Sequence, residues 1–258
     1  MRLILKYKGY LIDLDGTIYL GEKPIEAGKR FIDYLKKESI PFLFVTNNTT
    51  RSPEQVVKKL KDVCQIDVPV QSVYTASNAT VDYMKEKKLG NRVYIIGEMG
   101  LIEAVKEAGF IIDDETPDYV VVGLDTEINY DKLTKATLAI HNGAHFIGTN
   151  PDKNIPTHLG LLPGAGSLIS LIETATQTKP VIIGKPKSII MDGALNILHL
   201  KKKDVIMVGD NYETDISAGL DNNIDTLLVL TGFTKSGDVP NLKERPTFII
   251  NSLDEWNF

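Results

Sequence analysis

Short apolar runs alternate with amphipathic stretches along the first part of this 258-residue chain. An apolar run at 10–12 is followed by a stretch at 25–38 whose apolar residues recur at helical spacing. The next run, 42–45, is apolar throughout, as expected for a strand that is buried on both faces. Ser52 and Pro53 then provide a capping residue and a first-turn proline for another helix. This order of strand, helix, strand and helix predicts a doubly wound parallel sheet.

The same alternation restarts near residue 78 and continues to about residue 180. In this stretch we predict helices at 78–88, 101–108, 131–142 and 168–176, and strands at 93–96, 110–112, 119–122 and 146–147. Beyond it, further strands are predicted at 181–183, 205–208, 226–230 and 248–250. We therefore predict an α/β core formed by 1–77 and 181–258, interrupted by an inserted α/β domain at 78–180.

The composition narrows the classes of function. The net charge of -5 argues against a broad nucleic-acid-binding surface, which needs an excess of basic residues. Cys64 is the only cysteine, so a disulfide framework or a cysteine-based metal site is not expected. The apolar run at 1–6 is too short for a signal peptide, and no run approaches the ~20 residues that a transmembrane helix needs. We expect a cytoplasmic protein with no nucleic-acid or membrane partner.

Two carboxylates, Asp13 and Asp15, follow the first predicted strand and precede Gly16 and Thr17. Strand alternation would place both carboxylates on one side of the sheet. Two unit charges about 4 Å apart repel by about 4 kcal/mol at an effective dielectric constant of about 20. A hard divalent cation with oxygen ligands would offset that repulsion. Taken alone, the group is also explained as an ordinary strand-to-helix turn, in which Asp, Gly and Thr act as caps.

Polar side chains also follow three later strands of the predicted core. In an open parallel sheet, ligands bind beyond the carboxyl ends of the strands. If all four strands belong to one sheet, their polar groups converge on one edge. The four groups are Asp13 with Asp15, Thr46 with Asn47, Lys185, and Asp210 with Asp215.

This set of side chains fits phosphoryl transfer through an aspartyl-phosphate. Asp13 would attack phosphorus, and Asp15 would first protonate the leaving oxygen and then activate water. Mg²⁺ would join Asp13, Asp210 and the phosphoryl oxygens.

The phosphoryl oxygens also need hydrogen-bond donors. Thr46 and the backbone around Asn47 would provide neutral donors at the end of the second strand. Lys185 would place an ammonium beside the same oxygens and the nucleophile.

In sequence order, these groups resemble the four motifs of the haloacid dehalogenase-like hydrolases. The matching segments are Asp13-Leu14-Asp15-Gly16-Thr17, Val45-Thr46-Asn47-Asn48, Gly184-Lys185-Pro186, and Gly209-Asp210 with Thr214-Asp215. Two segments of the insertion, Thr149-Asn150-Pro151-Asp152 and Pro163-Gly164-Ala165-Gly166, resemble the NagD-like, p-nitrophenyl-phosphatase branch. The resemblance covers nearly the whole chain. It implies a Rossmann-like core, a large α/β cap at roughly 78–180 and Mg²⁺-dependent hydrolysis of phosphomonoesters.

The resemblance also implies roles by position. Asp13 is the nucleophile and Asp15 the acid/base. The metal ligands are Asp13, the backbone carbonyl of Asp15, and Asp210. Asn211 and Asp215 support the metal, although Asn211 is equally well explained as a residue that only braces its loop.

For the substrate, the resemblance implies that Thr46, Asn47 and Lys185 contact the phosphate, and Asn150 and Asp152 are candidates to face it from the cap. We expect a small phosphorylated metabolite, such as a sugar phosphate or a nucleoside monophosphate, with p-nitrophenyl phosphate as an artificial substrate. Two alternatives stay open: a phosphomutase or other phosphoryl transferase on the same core, and a phospho-aspartate signalling switch. The resemblance further suggests a homodimer formed through the cap.

Overall fold

The computed structural model describes residues 7–157 and 159–258, so the prediction for the N-terminal run 1–6 lies outside the described part. The strands are β1 Gly9–Ile12, β2 Tyr19–Leu20, β3 Lys23–Pro24, β4 Phe42–Thr46, β5 Val73–Thr75, β6 Arg92–Ile96, β7 Ile111–Ile112, β8 Tyr119–Val122, β9 His145–Gly148, β10 Asn154–Thr157, β11 Gly160–Pro163, β12 Val181–Ile182, β13 Val205–Gly209, β14 Asp225–Val229 and β15 Phe248–Ile250. The helices are α1 Glu26–Lys37, α2 Pro53–Cys64, α3 Ala76–Lys87, α4 Met99–Glu107, α5 Tyr130–His141, α6 Ala165–Thr176, α7 Ser188–Leu198 and α8 Ser217–Asp221. None of these helices combines the length and the apolar character needed to cross a membrane.

The chain divides into two compact units. The first unit contains the described residues up to Thr46, together with Pro53–Tyr74 and Lys185–Phe258. Its sheet has the strand order β15-β14-β13-β1-β4-β5. β1 runs parallel to both of its neighbours, and Ile12 is level with Val208 of β13. The carboxyl ends of β1, β4 and β13 therefore meet at the same edge of the sheet.

Helix α1 packs against this sheet through one face. Its buried residues Ala27, Phe31 and Leu35 recur at helical spacing and join the same core as Tyr10 and Ile12 of β1. Full burial of one large apolar side chain contributes about 1.5–3 kcal/mol. The packing of α1 therefore helps to hold the strand that carries the first pair of acids.

The second unit contains Asn47–Ser52 and Thr75–Gly184. It has a parallel sheet in the order β12-β9-β8-β6-β7 and an antiparallel hairpin formed by β10 and β11. Its own hydrophobic core includes Ile96, Val122 and Phe146. The parallel sheets and intervening helices confirm the predicted α/β class. The identification of the two units as catalytic core and cap stays a prediction.

The prediction that all four groups of polar residues follow strands of one sheet is wrong. The strand that precedes Lys185, β12, pairs with β9 in the sheet of the second unit and does not pair with β1. Of the four predicted groups of polar residues, only those at Asp13, Thr46 and Asp210 follow strands of the first sheet. Lys185 nevertheless belongs to the first unit, because it is the first residue of the segment Lys185–Phe258.

Candidate active site

The site begins at the carboxyl end of β1. The strand ends at Ile12, but the amide of Asp13 still donates to the carbonyl of Val208 at 2.8 Å, so its backbone continues the pairing with β13. The strand alternation that predicts Asp13 and Asp15 on one side of the sheet does not extend over these two residues. Asp13 is buried, whereas Asp15 is exposed.

Gly16 allows the tight turn that follows the two acids. Its φ of +89° lies in the left-handed region that favours glycine. A Cβ atom at this position would lie 2.2 Å from Oδ2 of Asp210. Any larger residue would therefore displace that carboxylate as well as strain the turn.

The buried ammonium of Lys185 joins three parts of the site. Its Nζ donates to Oδ1 of Asp13 at 2.6 Å, to Oδ1 of Asp215 at 2.7 Å and to the carbonyl of Val45 at 2.7 Å. These acceptors match the three N–H donors of an ammonium. Burial alone would lower the pKa of Lys185, but the carboxylates of Asp13 and Asp215 raise it above its usual value. The ammonium is therefore charged and held against Asp13.

The ammonium of Lys185 does not balance the negative charge of the carboxylates around it. Burial raises the pKa of Asp13 well above its usual value; repulsion from Asp215 adds to the rise and Lys185 opposes it. Burial, with a further contribution from Asp215, raises the pKa of Asp210 to about 7. Three acids share one ammonium in this cluster, so additional positive charge would favour their ionised forms.

The three acids lie close enough together to share one divalent cation. One oxygen from each of Asp13, Asp210 and Asp215 lies within 4.8 Å of the other two. Carboxylate oxygens are the ligands that Mg²⁺ and Ca²⁺ prefer. Within the described residues, the short hydrogen bonds to the side chains of Asp13 and Asp210 engage only Oδ1 of the first and Oδ2 of the second. Oδ2 of Asp13, and Oδ1 of Asp210, whose contact with the Thr17 hydroxyl is a long one at 3.4 Å, are suited to bind a cation.

Asp215 and Asn211 brace the site from the loop after β13. Asp215 accepts from Lys185 through Oδ1 and from the amide of Asn211 through Oδ2, at 3.1 Å. The side-chain oxygen of Asn211 accepts from the amide of Glu213 at 3.0 Å and caps the helical turn Tyr212–Ile216. This hydrogen bond supports the interpretation that Asn211 braces its loop. A supporting role of either residue toward a metal stays a prediction.

The motif Thr46-Asn47 is divided between the two units. Thr46 is the last residue of β4 and is buried. In the second unit, the side-chain amide of Asn47 donates to the two carboxylate oxygens of Asp152, at 3.1 and 3.3 Å. The carbonyl of Asn47 accepts from the side chain of Asn150 at 2.9 Å. Contacts of Thr46 and Asn47 with phosphate stay predictions.

The donors that hold Asp210 were not predicted from the sequence. The amide of Phe233 donates to Oδ2 of Asp210 at 2.5 Å, and the hydroxyl of Thr17 approaches Oδ1 at 3.4 Å. Phe233 lies in the loop after β14, the strand that neighbours β13 in the sheet. Thr231 and Gly232 follow this apolar strand, just as acids follow β1, and that pattern could have identified the loop.

Comparisons with known proteins identify the family. A family model described as haloacid dehalogenase-like hydrolase matches residues 10–111, and one described as HAD-hydrolase-like matches residues 182–256. An acid sugar phosphatase of Staphylococcus aureus is 49% identical over 251 residues, which are 97% of this chain and 96% of that protein.

Solved structures agree with the sequence matches. A double mutant of a thermostable NPPase from Geobacillus stearothermophilus is 48% identical with a TM-score of 0.92, over 98% of each chain. A p-nitrophenyl phosphatase from Archaeoglobus fulgidus is 36% identical with a TM-score of 0.92, over 97% of this chain and 98% of that one. The chain therefore belongs to the haloacid dehalogenase-like hydrolases, and within them to the NagD-like branch of phosphatases that its motifs predicted.

Proposed function

We propose that this protein is a Mg²⁺-dependent phosphatase that hydrolyses small phosphomonoesters through an aspartyl-phosphate on Asp13. The proposal rests on one observation above all, the buried ion pair of Asp13 and Lys185 beside Asp210. The pair fixes one carboxylate oxygen of Asp13 while the second oxygen is left for chemistry. A carboxylate held in this way is a suitable nucleophile toward phosphorus.

The residues that would hold Mg²⁺ are Asp13 and Asp210, with the backbone carbonyl of Asp15 as the further predicted ligand. When bound, the ion supplies positive charge that offsets both the clustered carboxylates and the phosphoryl oxygens of the substrate. The pKa values of Asp13 and Asp210 are raised without this charge, and a bound cation would favour the ionised form of both carboxylates.

Two displacements at phosphorus then account for hydrolysis. In the first, an oxygen of Asp13 forms a bond to phosphorus while the bond from phosphorus to the ester oxygen breaks, and Asp15 gives its proton to that oxygen. In the second, Asp15 takes a proton from water as the water oxygen attacks the same phosphorus. The bond to Asp13 breaks, inorganic phosphate leaves and both acids return to their starting state. The exposed position of Asp15 suits a group that exchanges protons with substrate and water.

The proposed contacts with the phosphoryl group come from Lys185, Thr46 and Asn47. The ammonium of Lys185 already lies against the nucleophile, so it would stabilise negative charge on the oxygens bonded to the phosphorus that Asp13 attacks. The names of the relatives support the substrate class: one is an acid sugar phosphatase and others are p-nitrophenyl phosphatases. We therefore propose sugar phosphates as the first class to test, followed by nucleoside monophosphates.

A colorimetric assay tests this function. The purified protein should release p-nitrophenolate from p-nitrophenyl phosphate when Mg²⁺ is present and lose this activity in EDTA. A panel of phosphorylated metabolites, ranked by kcat/KM, would then identify the leaving group. Product analysis with and without added acceptor alcohols separates hydrolysis from phosphoryl transfer. Undiminished activity in EDTA, or stable phosphorylation without turnover, would contradict the proposal.

Self-association through the predicted cap is a separate proposal. Sedimentation of the full chain and of a variant with altered cap surface would test it. Location in the cytoplasm also stays a prediction.

A further inference from the structure

A loop outside the four motifs contacts both the turn that follows Asp13 and Asp15 and the predicted metal ligand Asp210. This loop, Thr231–Lys235, follows β14 and is called the β14 loop below. The hydroxyl of Thr231 donates to the carbonyl of Gly16 at 2.6 Å. The amide of Phe233 donates to Oδ2 of Asp210 at 2.5 Å, and the amide of Thr234 donates to the Asp210 carbonyl at 3.1 Å. The loop therefore touches both the turn after Asp15 and the predicted metal ligand.

The second residue of the loop, Gly232, is packed directly against that ligand. A Cβ atom on Gly232 would lie 2.0 Å from Oδ2 of Asp210 and 2.7 Å from Cα of Gly16. Gly232 is not among the glycines with positive φ, so this position demands glycine for space and not for backbone conformation. The main chain of the loop thus forms one wall of the pocket that holds the Asp210 carboxylate.

The β14 loop is also tied to the segment that carries Asp215. The hydroxyl of Thr234 accepts from the amide of Tyr212 at 2.9 Å, and Thr234 is buried. Tyr212 begins the helical turn Tyr212–Ile216. One short loop consequently fixes the positions of the turn after β1 and the turn after β13 relative to each other.

We propose that the β14 loop is a positioning element for metal binding, in which the amide of Phe233 fixes Oδ2 of Asp210 and leaves Oδ1 for the cation. Thr231 holds the adjacent turn at Gly16, where the predicted ligand carbonyl of Asp15 lies. The inference rests on the proposed function, because it concerns the same Mg²⁺ site. Groups that orient the ligands of a metal typically affect its affinity by about 10–100-fold.

The first test uses two glycines near the loop. Gly232→Ala adds a methyl group where the Asp210 carboxylate lies, whereas Gly237→Ala adds the same group where no atom lies within 4 Å. Mg²⁺ binding is measured on the substrate-free protein by thermal shift and by titration calorimetry. We expect Gly232→Ala to raise the Mg²⁺ concentration for half-maximal binding by about tenfold or more. Gly237→Ala should bind as the wild type does.

The second test removes one hydroxyl and restores it. Thr231→Val loses the donor to Gly16, and Thr231→Ser keeps it. Thr226→Val is the matched control, because Thr226 is buried on β14 and its hydroxyl accepts from the amide of Thr247 at 3.0 Å. We expect Thr231→Val to weaken Mg²⁺ binding, Thr231→Ser to restore it, and Thr226→Val to reduce stability without changing Mg²⁺ affinity.

The outcomes separate this inference from the proposed function. If the wild type shows no Mg²⁺ response, the proposed function and the inference both fail. If the wild type responds and turns over substrate, but Gly232→Ala and Thr231→Val keep its Mg²⁺ affinity, only the inference is overturned. Loss of affinity in Thr226→Val equal to that in Thr231→Val would also overturn it, because a general loss of stability would then explain both.

Discussion

At the scale of single residues, the site depends on charge balance around Lys185. Its ammonium is buried against the carboxylates of Asp13 and Asp215. Moving such charges out of water costs free energy, and the attraction between them offsets this cost only while each partner is present. Removing one member of a buried pair typically destabilises a protein by about 3–5 kcal/mol, because the other charge is left uncompensated.

We therefore predict that Lys185→Met lowers the free energy of unfolding by about 3–5 kcal/mol in the absence of Mg²⁺. Denaturant unfolding of the full chain measures it. Lys202→Met is the control, since Lys202 makes an ion pair with Asp192 at 3.6 Å between exposed side chains and should matter little. Equal effects of the two substitutions would contradict the account.

A double variant checks the cause of that loss. In Asp13→Asn with Lys185→Met, a neutral amide replaces one of the two carboxylates that would be left without their partner. We expect the double variant to be more stable than the sum of the two single effects predicts. The difference should exceed the scatter of about 0.3–0.5 kcal/mol that is usual for independent sites. Strict additivity would show that the two side chains are not coupled.

At the scale of elements, the sequence pattern located most strands and helices because their apolar runs are buried and bounded by polar turns. It missed the hairpin of β10 and β11, whose sequence includes two prolines and lacks a clear alternation of apolar and polar residues. It also assigned β12 to the wrong sheet. A two-residue strand carries no signal of its partner, because pairing is decided by contacts far away in sequence.

The same limit applies to the candidate site. The acids and Lys185 were predicted because side-chain chemistry is visible in the sequence. The contact of the Phe233 amide with Asp210 was not predicted, because every residue except proline carries a backbone N–H and the sequence does not mark which of them donates. Asn47 was predicted as a phosphate contact, but its bond with Asp152 joins positions 105 apart and could not be read from spacing.

The hydrogen bond between Asn47 and Asp152 leads to a prediction for the loop after β9. Asp152→Ala removes the acceptor that orients the Asn47 amide, whereas Asp152→Asn keeps a side-chain oxygen that can accept. If Asn47 contacts phosphate as proposed, we expect kcat/KM to fall about tenfold in Asp152→Ala and to be largely retained in Asp152→Asn. Steady-state kinetics at saturating Mg²⁺ would show this. Wild-type kinetics in Asp152→Ala would mean that the contact is structural only.

At the scale of the whole molecule, one site is assembled from segments that are far apart in the chain. Asp13 and Lys185 are separated by 172 positions, and the second unit is inserted between them. The acidic cluster therefore exists only when both ends of the chain have folded together in the first unit. A cation that binds this cluster must stabilise the folded state, because the unfolded chain offers no equivalent site.

We predict that Mg²⁺ raises the melting temperature of the wild type and that EDTA reverses the rise. At about 100 times its dissociation constant, a bound ligand stabilises by about 2.7 kcal/mol. Asp210→Asn should abolish the effect. Asp254→Asn is the control, because Asp254 binds Arg30 at the surface, at 2.9 and 2.7 Å, away from the cluster in sequence and in contacts. A full Mg²⁺ response in Asp210→Asn would contradict the proposed ligand set.

The central claim is that Asp13 becomes phosphorylated and that Asp15 is needed to hydrolyse the resulting aspartyl-phosphate. The most direct measurement is a rapid-mixing experiment on Asp15→Asn with p-nitrophenyl phosphate and Mg²⁺. Because p-nitrophenolate leaves readily without protonation, this variant should release one equivalent per site in a burst and then stop, with the phosphoryl group located on Asp13 by mass spectrometry. Asp13→Asn should give no burst. Steady turnover in Asp13→Asn, or a phosphoryl group on any other residue, would contradict the account.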